Sequence, residues 1–262
     1  MSDAAGGATT ALPAGRPATG GGHSRFGRWL YSVLWVLCRT LAVSVFGFRM
    51  RFAHPLPATG GLLVLSSHQS HLDPLLLGLA TDRRLSSLAR STLYAFKPFG
   101  AVITALDAVP IDREASALAG MKTVIRRLQG GAAVILFPEG TRTRDGRLGE
   151  IKSGFAIIAR RAGVPIVPVA IVGAHECWPR TARFPRPGRI RLEFGSLITP
   201  AEVAALDDAA LVAECTRRLA DLDARGRVAL GPPFAARWSA GTGNGSRRRN
   251  RSMSMSAATP RP

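Results

Sequence analysis

The chain has 262 residues and a formal net charge of +18, long enough for one α/β domain with a sizeable core plus tails. An excess of cations attracts anionic lipid head groups, nucleic acid and acidic carrier proteins through the same Coulomb attraction, so charge alone selects none of these partners. Cys38, Cys177 and Cys215 are odd in number, far apart and without metal-ligand spacing, which argues against a disulfide framework or a cysteine metal site and for reduced thiols in a cytosol-facing protein.

Residues 1–23 are mostly Gly, Ala, Thr and Pro, and residues 237–262 repeat that poverty in large apolar groups with six arginines and no acid. Both ends are expected to be disordered tails, the second a basic one. Between the first tail and residue 53 lies a segment expected to be helical and membrane-associating. Its residues 29–48 are mostly apolar and would reach about 30 Å as a helix. Arg39 and Thr40 interrupt the run, and Arg25, Arg28, Ser32 and Arg39 fall within about 60° of one another on a helical wheel. Such a narrow polar stripe suits an interfacial helix or a re-entrant hairpin with Arg39 near its bend. Arginines flank both ends of the run, which fits both ends lying on the cytoplasmic side. A true span and a packed core helix are the alternatives, and no small-residue cleavage pattern closes the run as in a signal peptide.

The catalytic domain is expected over residues 54–236. Short apolar runs at 62–65, 85–89, 108–111, 133–137, 164–171 and 190–194 read as strands. Helices are expected at 74–80, 115–129 and 153–162, and a long one from the Thr199-Pro200 cap to about residue 224. Alternating strands and helices imply an α/β fold: a largely parallel β-sheet flanked by helices, preceded by the membrane-associating helical segment.

Two polar segments follow apolar strands, where α/β sheets present their ligands. The first runs from Ser66 to Pro74. His68 can take a proton near neutral pH, and a carboxylate on its other ring nitrogen would fix the tautomer and stabilise the imidazolium. Asp73 can be that carboxylate only across a turn, because five residues on a continuous helix put side chains about 140° apart. Pro74 supplies the turn by disfavouring helix at Asp73 and favouring the first helical position for itself. Asp73 is thus expected just outside the helix. The competing explanation is that Asp73 merely caps the helix beside a loop histidine, and His71 is the rival base, read as structural. In the second segment, 135–143, Gly140 permits close approach of the main chain, Thr141 offers a hydroxyl and Arg142 a forked cationic donor suited to phosphate. Glu139 would order Arg142 or bind a polyol hydroxyl, unless the whole segment is a surface turn.

With these residues in view, the chain resembles the glycerolipid acyltransferase family, whose bacterial members are 1-acylglycerol-3-phosphate acyltransferases. Four blocks match in order across roughly residues 60–175: His68 to Asp73 (His-x4-Asp), Asp107 to Arg113, Phe137 to Arg142, and Val164 to Ala170, with Lys152-Ser153-Gly154 after the third. The resemblance implies His68 as general base, Asp73 as its orienter, and Glu139, Gly140, Thr141 and Arg142 in acceptor binding. It places Arg113, and secondarily Arg90, at the acceptor phosphate. Pro165 and Pro168 match prolines associated with substrate binding, against the alternative that they are rigid strand edges. Asp107 stands where the second block usually begins with glycine, and Pro110 where an aromatic residue is usual, leaving the local backbone path open. The implied reaction moves a fatty acyl group from acyl-CoA or acyl-carrier protein, as co-substrate, to the sn-2 hydroxyl of lysophosphatidic acid at the cytoplasmic face of the cell membrane. No cofactor, metal or specific nucleic acid is expected, and an anionic membrane surface is. No G-x-S-x-G elbow or P-loop is present. An acyltransferase for another lyso-lipid, and a non-catalytic basic lipid-binding protein, are the alternatives.

Overall fold

The computed structural model describes residues 25–90, 109–111 and 117–231; the expected tails lie outside them. α1 (Arg25–Phe46) leads into β1 (Arg49–Phe52), β2 (Leu62–Ser66), α2 (Asp73–Ala80), β3 (Leu85–Ser86), β4 (Leu88–Arg90) and β5 (Val109–Ile111). The chain continues through α3 (Ala117–Gln129), β6 (Ala133–Leu136), α4 (Gly154–Ala162), β7 (Ile166–Val172), α5 (Ala174–Cys177), β8 (Arg191–Phe194), α6 (Pro200–Ala205) and α7 (Asp208–Leu230).

A six-stranded sheet has the order β1-β8-β7-β2-β6-β3. Its pairings are parallel except for the antiparallel β7–β8, so the sheet is mixed. β4 and β5 form a separate parallel pair. Every residue of β2 and β7 is buried, the pattern of strands covered on both faces. Alternation sorts them: Leu62, Val64, Ile135, Val167 and Val169 pack with α2 on one side, while Leu63, Leu65, Val134 and Ile166 meet α3, α4, α6 and α7 on the other. Helices thus cover both faces of the sheet.

Three expectations are corrected. First, α1 is one continuous helix with no bend at Arg39. The guanidinium finds an internal acceptor, donating to the Leu79 carbonyl of α2, and lies 4.9 Å from the centre of the Trp35 ring. Trp35, Cys38, Ala42 and Phe46 form the inward stripe of α1, and no helix among the described residues is long and apolar enough to cross a membrane. Second, residues 49–52 form a strand at the edge of the sheet instead of continuing the helical segment. Met50 and Phe52 turn inward, alternating with exposed Arg49 and Arg51, and Phe52 stacks on Phe194 of β8 with ring centroids 4.2 Å apart. Third, the expected long helix is two. Thr199 and Glu202 form a reciprocal capping box at the start of α6, the chain is extended at Leu206, and the Asp207 side chain accepts from the Ala210 N–H at 2.7 Å to start α7.

Pro168 lies within β7, between β2 and β8, and not at a strand edge. Its missing N–H falls just beyond Val169↔Phe194, the end of the β7–β8 ladder, where Gly195 donates to the Pro168 carbonyl at 2.9 Å.

Candidate active site

β2 and β6 are parallel neighbours, with Leu65 beside Leu136. Their carboxyl ends therefore open on the same edge of the sheet, and the loops that follow, 67–72 and 137–143, meet there. The Thr143 N–H donates to the His68 carbonyl at 2.8 Å, tying one loop to the other.

His68 Nδ1 lies 2.7 Å from Asp73 Oδ2. Asp73 is fully buried, and the same oxygen accepts from the backbone N–H of Gln69 at 2.6 Å and of Ser70 at 2.8 Å. An ionised carboxylate only accepts, so Nδ1 carries the hydrogen and the lone pair falls on Nε2. The imidazole stacks on Phe137, with centroids 3.9 Å apart and planes 15° from parallel. It retains 19% side-chain exposure. Asp73 is the first residue of α2 and not the residue outside it; its cap is Leu72. The expected direction of the carboxylate holds nonetheless, because Oδ2 closes the turn that precedes α2. Asp73 Oδ1 is buried without a protein partner.

Glu139 occupies an unexpected position. It is buried at 6% exposure, with Oε1 accepting from the His68 N–H at 2.9 Å and Oε2 from the Gly149 N–H at 3.1 Å. Each oxygen is engaged by the backbone, so the side chain braces the β2–α2 loop at His68 against two points of its own β6–α4 connection. Burial raises its carboxyl above the ordinary glutamate range, opposed by those two N–H donors and by His68. A Cβ on Gly149 would stand 2.7 Å from Oε2, which explains the glycine.

Gly140 has φ 71°, a left-handed conformation that glycine adopts without strain. It stands exposed with Thr141, next to half-buried Arg142. The Lys152 ammonium reaches this turn: a Cβ on Gly140 would lie 3.3 Å from Nζ. Lys152 was not among the expected site residues, though its position after the third block was a signal. His71 is exposed beside Trp178, ring centroids 5.3 Å apart. Partial burial lowers its imidazolium pKa, as do the charges of Arg142 and His68, against the opposing pull of Asp73. Arg90 ends β4 with its backbone beside Ile111 of β5. Arg113 and Asp107 lie outside the described residues, and Pro110 is central in β5.

The cysteines are free. Burial pushes the thiols of Cys177 and Cys215 up to about 12, so neither is a nucleophile at neutral pH. Among the described residues, no cluster of His, Cys, Asp and Glu is suited to hold a metal ion.

A family model described as Acyltransferase matches residues 47–172, the span that carries both site loops. Over that span, just under half of its length, the chain is similar to the acyltransferase family. It is similar to a chloroplastic 1-acyl-sn-glycerol-3-phosphate acyltransferase from Brassica napus, 33% identical over 117 residues, covering 44% of this chain and 34% of that one. It thus spans about a third of that plant relative. Acyltransferases of the same name are similar over more of their length: the Pseudomonas aeruginosa protein is 29% identical over 72% of this chain and 71% of its own. For the Bacillus subtilis protein the identity is 29%, over 63% of this chain and 80% of its own. The crystal structure of the 1-acyl-sn-glycerophosphate acyltransferase PlsC from Thermotoga maritima shares the fold, with a TM-score of 0.60 and 21% identity over 76% of this chain and 82% of that one.

Proposed function

We propose that this acyltransferase moves a fatty acyl group from acyl-CoA or acyl-carrier protein to the sn-2 hydroxyl of 1-acylglycerol-3-phosphate, making phosphatidic acid at the cytoplasmic face of the cell membrane. The observation that carries the reading is the His68–Asp73 contact at 2.7 Å, which leaves Nε2 as the proton acceptor. Nε2 takes the hydroxyl proton as the oxygen attacks the thioester carbonyl. The resulting tetrahedral centre collapses with loss of the thiolate, which recovers the proton from the imidazolium. Asp73 holds the imidazolium while it is charged. No acyl-enzyme forms.

The names of the relatives support lysophosphatidic acid as acceptor. Its phosphate would be met by Arg142 and the Gly140-Thr141 turn, with Arg113 from the second block and, secondarily, Arg90. Glu139 acts through the His68 backbone. Val33, Val36, Leu37, Leu41 and Val43 are exposed on α1, an apolar face suited to lie at a bilayer interface.

The test is thiol release from acyl-CoA with a panel of lyso-lipids on membranes, wild type against His68→Ala. Turnover on lysophosphatidate that disappears in the variant supports the reading. Unchanged turnover in the variant defeats the mechanism, and activity confined to another lyso-lipid moves the substrate.

A further inference from the structure

We propose that the segment linking α5 to β8, residues 178–190, is a second contact with an anionic bilayer, one that sets the catalytic loop against the headgroup layer. The proposal rests on the reading of the protein as an acyltransferase of membrane lipids. The segment carries Arg180, Arg183, Arg186 and Arg189 and no acid. Arg180, Arg183 and Arg186 are exposed, and Phe184 is 70% exposed with the Arg183 guanidinium 5.4 Å from its ring centre.

Both ends of the segment are fastened at informative places. At its start, the Trp178 carbonyl accepts from the Ser70 hydroxyl at 2.8 Å, and the Ser70 N–H in turn donates to Asp73 Oδ2. The Trp178 indole donates to the Ala182 carbonyl at 3.0 Å, and the Arg186 N–H to the Cys177 carbonyl at 2.7 Å, which shapes the intervening chain into a compact loop. At its end, the N–H of Gly188 donates to the Val45 carbonyl at 3.3 Å and that of Ile190 to the Phe46 carbonyl at 2.8 Å. One end thus rests on the loop that holds His68 and Asp73, and the other on the carboxyl end of α1.

The occupant follows from the pairing of chemistries. Nucleic acid would satisfy the arginines but offers little to an exposed phenylalanine on a loop fastened to α1. An anionic bilayer interface supplies phosphates for the arginines and an acyl boundary for Phe184 together. Adsorption through both α1 and this loop would hold the His68 loop near the headgroups, where an acceptor hydroxyl resides.

The experiment uses the full chain and vesicles of phosphatidylcholine with and without phosphatidylglycerol. Each arginine near an anionic surface is worth about a fivefold factor in partitioning, so the R180Q/R183Q/R186Q variant should bind anionic vesicles on the order of a hundredfold more weakly. A second measurement leaves the arginines in place: an environment-sensitive fluorophore on Phe184→Cys in a Cys38→Ala background should brighten and shift to the blue when anionic vesicles are added. Partitioning of the triple variant within twofold of wild type, or an unmoved fluorophore, overturns the proposal. So does tighter binding to duplex DNA than to the vesicles. Turnover on a short-chain, water-soluble lysophosphatidate should stay at the wild-type level in the loop variant while turnover on vesicle-borne acceptor falls. Vesicle binding is read without catalysis, so failure of the His68→Ala test leaves this result standing, and the reverse.

Discussion

Asp73→Asn separates the proposed catalytic duty of one buried side chain from its structural duty. Three donors converge on Oδ2: His68 Nδ1 at 2.7 Å, Gln69 N at 2.6 Å and Ser70 N at 2.8 Å. The amide oxygen of asparagine can occupy the same place and accept all three, while its NH2 falls where Oδ1 sits without a protein partner. The geometry is kept and the charge is lost. For an imidazolium forming 2.7 Å from the carboxylate, Coulomb's law at an effective dielectric of about 20 bounds the lost attraction at ~6 kcal/mol. Part of this is screened at the partly exposed ring, and the range typical of general-base catalysis, roughly 10²- to 10⁴-fold in rate, falls inside the bound. The fold should lose at most about 1–3 kcal/mol: the buried NH2 meets no protein acceptor and hydrogen bonds to the neutral amide are weaker, but a fully buried charge no longer has to be desolvated. Asp73→Ala, by contrast, leaves buried donors unmet at about 1–3 kcal/mol each. The assay is thiol release from acyl-CoA with vesicle-borne lysophosphatidate, run beside thermal unfolding. Turnover of Asp73→Asn within tenfold of wild type, or a loss that merely tracks the unfolded fraction, would refute the reasoning.

Glu139→Gln tests the brace. Burial raises the Glu139 carboxyl, so the folded state holds its proton more tightly than the unfolded chain does. Its contribution to stability is then full below the ordinary glutamate value of about 4.3 and is lost as pH rises through the raised value. The stability difference between wild type and Glu139→Gln, from denaturant unfolding, should therefore change with pH over that window; a flat difference counts against the assignment. The variant should also lower kcat while leaving the acceptor KM nearly unchanged, since each carboxylate oxygen meets backbone and not solvent. Gly149→Ala would press a methyl to 2.7 Å from Glu139 Oε2 and should destabilise by roughly 1–3 kcal/mol, measured as a shift in denaturant midpoint; an unshifted midpoint would show that the loop yields freely. Arg142→Ala should raise the KM for lysophosphatidate at least about tenfold without moving the acyl-CoA KM, in keeping with a charge-assisted phosphate contact; equal changes in both would argue for a general loosening of the loop.

The elements whose signals are local were readable in the chain itself. Residues 62–65 are an uninterrupted apolar run and became a strand buried on both faces; Pro74 announced the start of α2 within one residue. β1 was hidden because a four-residue alternation adjoining a long apolar helix carries little periodic signal, and it became a strand only by pairing with β8, far along the chain. The break between α6 and α7 was in principle legible, since Asp207 has the spacing of a cap, but the helical periodicity on either side masked it.

The side-chain types of the site were present in the sequence: a histidine and an aspartate across a turn, and a glycine, threonine and arginine after a strand. Sequence placed those two segments at the ends of strands, because residue propensity and hydrophobic period act over a few neighbours. It did not determine that the two strands would be adjacent and parallel, with Leu65 beside Leu136. That contact is what turned the Glu139 carboxylate from an expected acceptor ligand into a clamp on the His68 and Gly149 backbones. It also took the tertiary fold to tie the arginine-rich loop at Trp178 to Ser70 and to α1. Hydrogen bonds between residues about 70 to 140 positions apart in the sequence form only after strand order has been chosen, and that choice is made by burying the whole sheet at once.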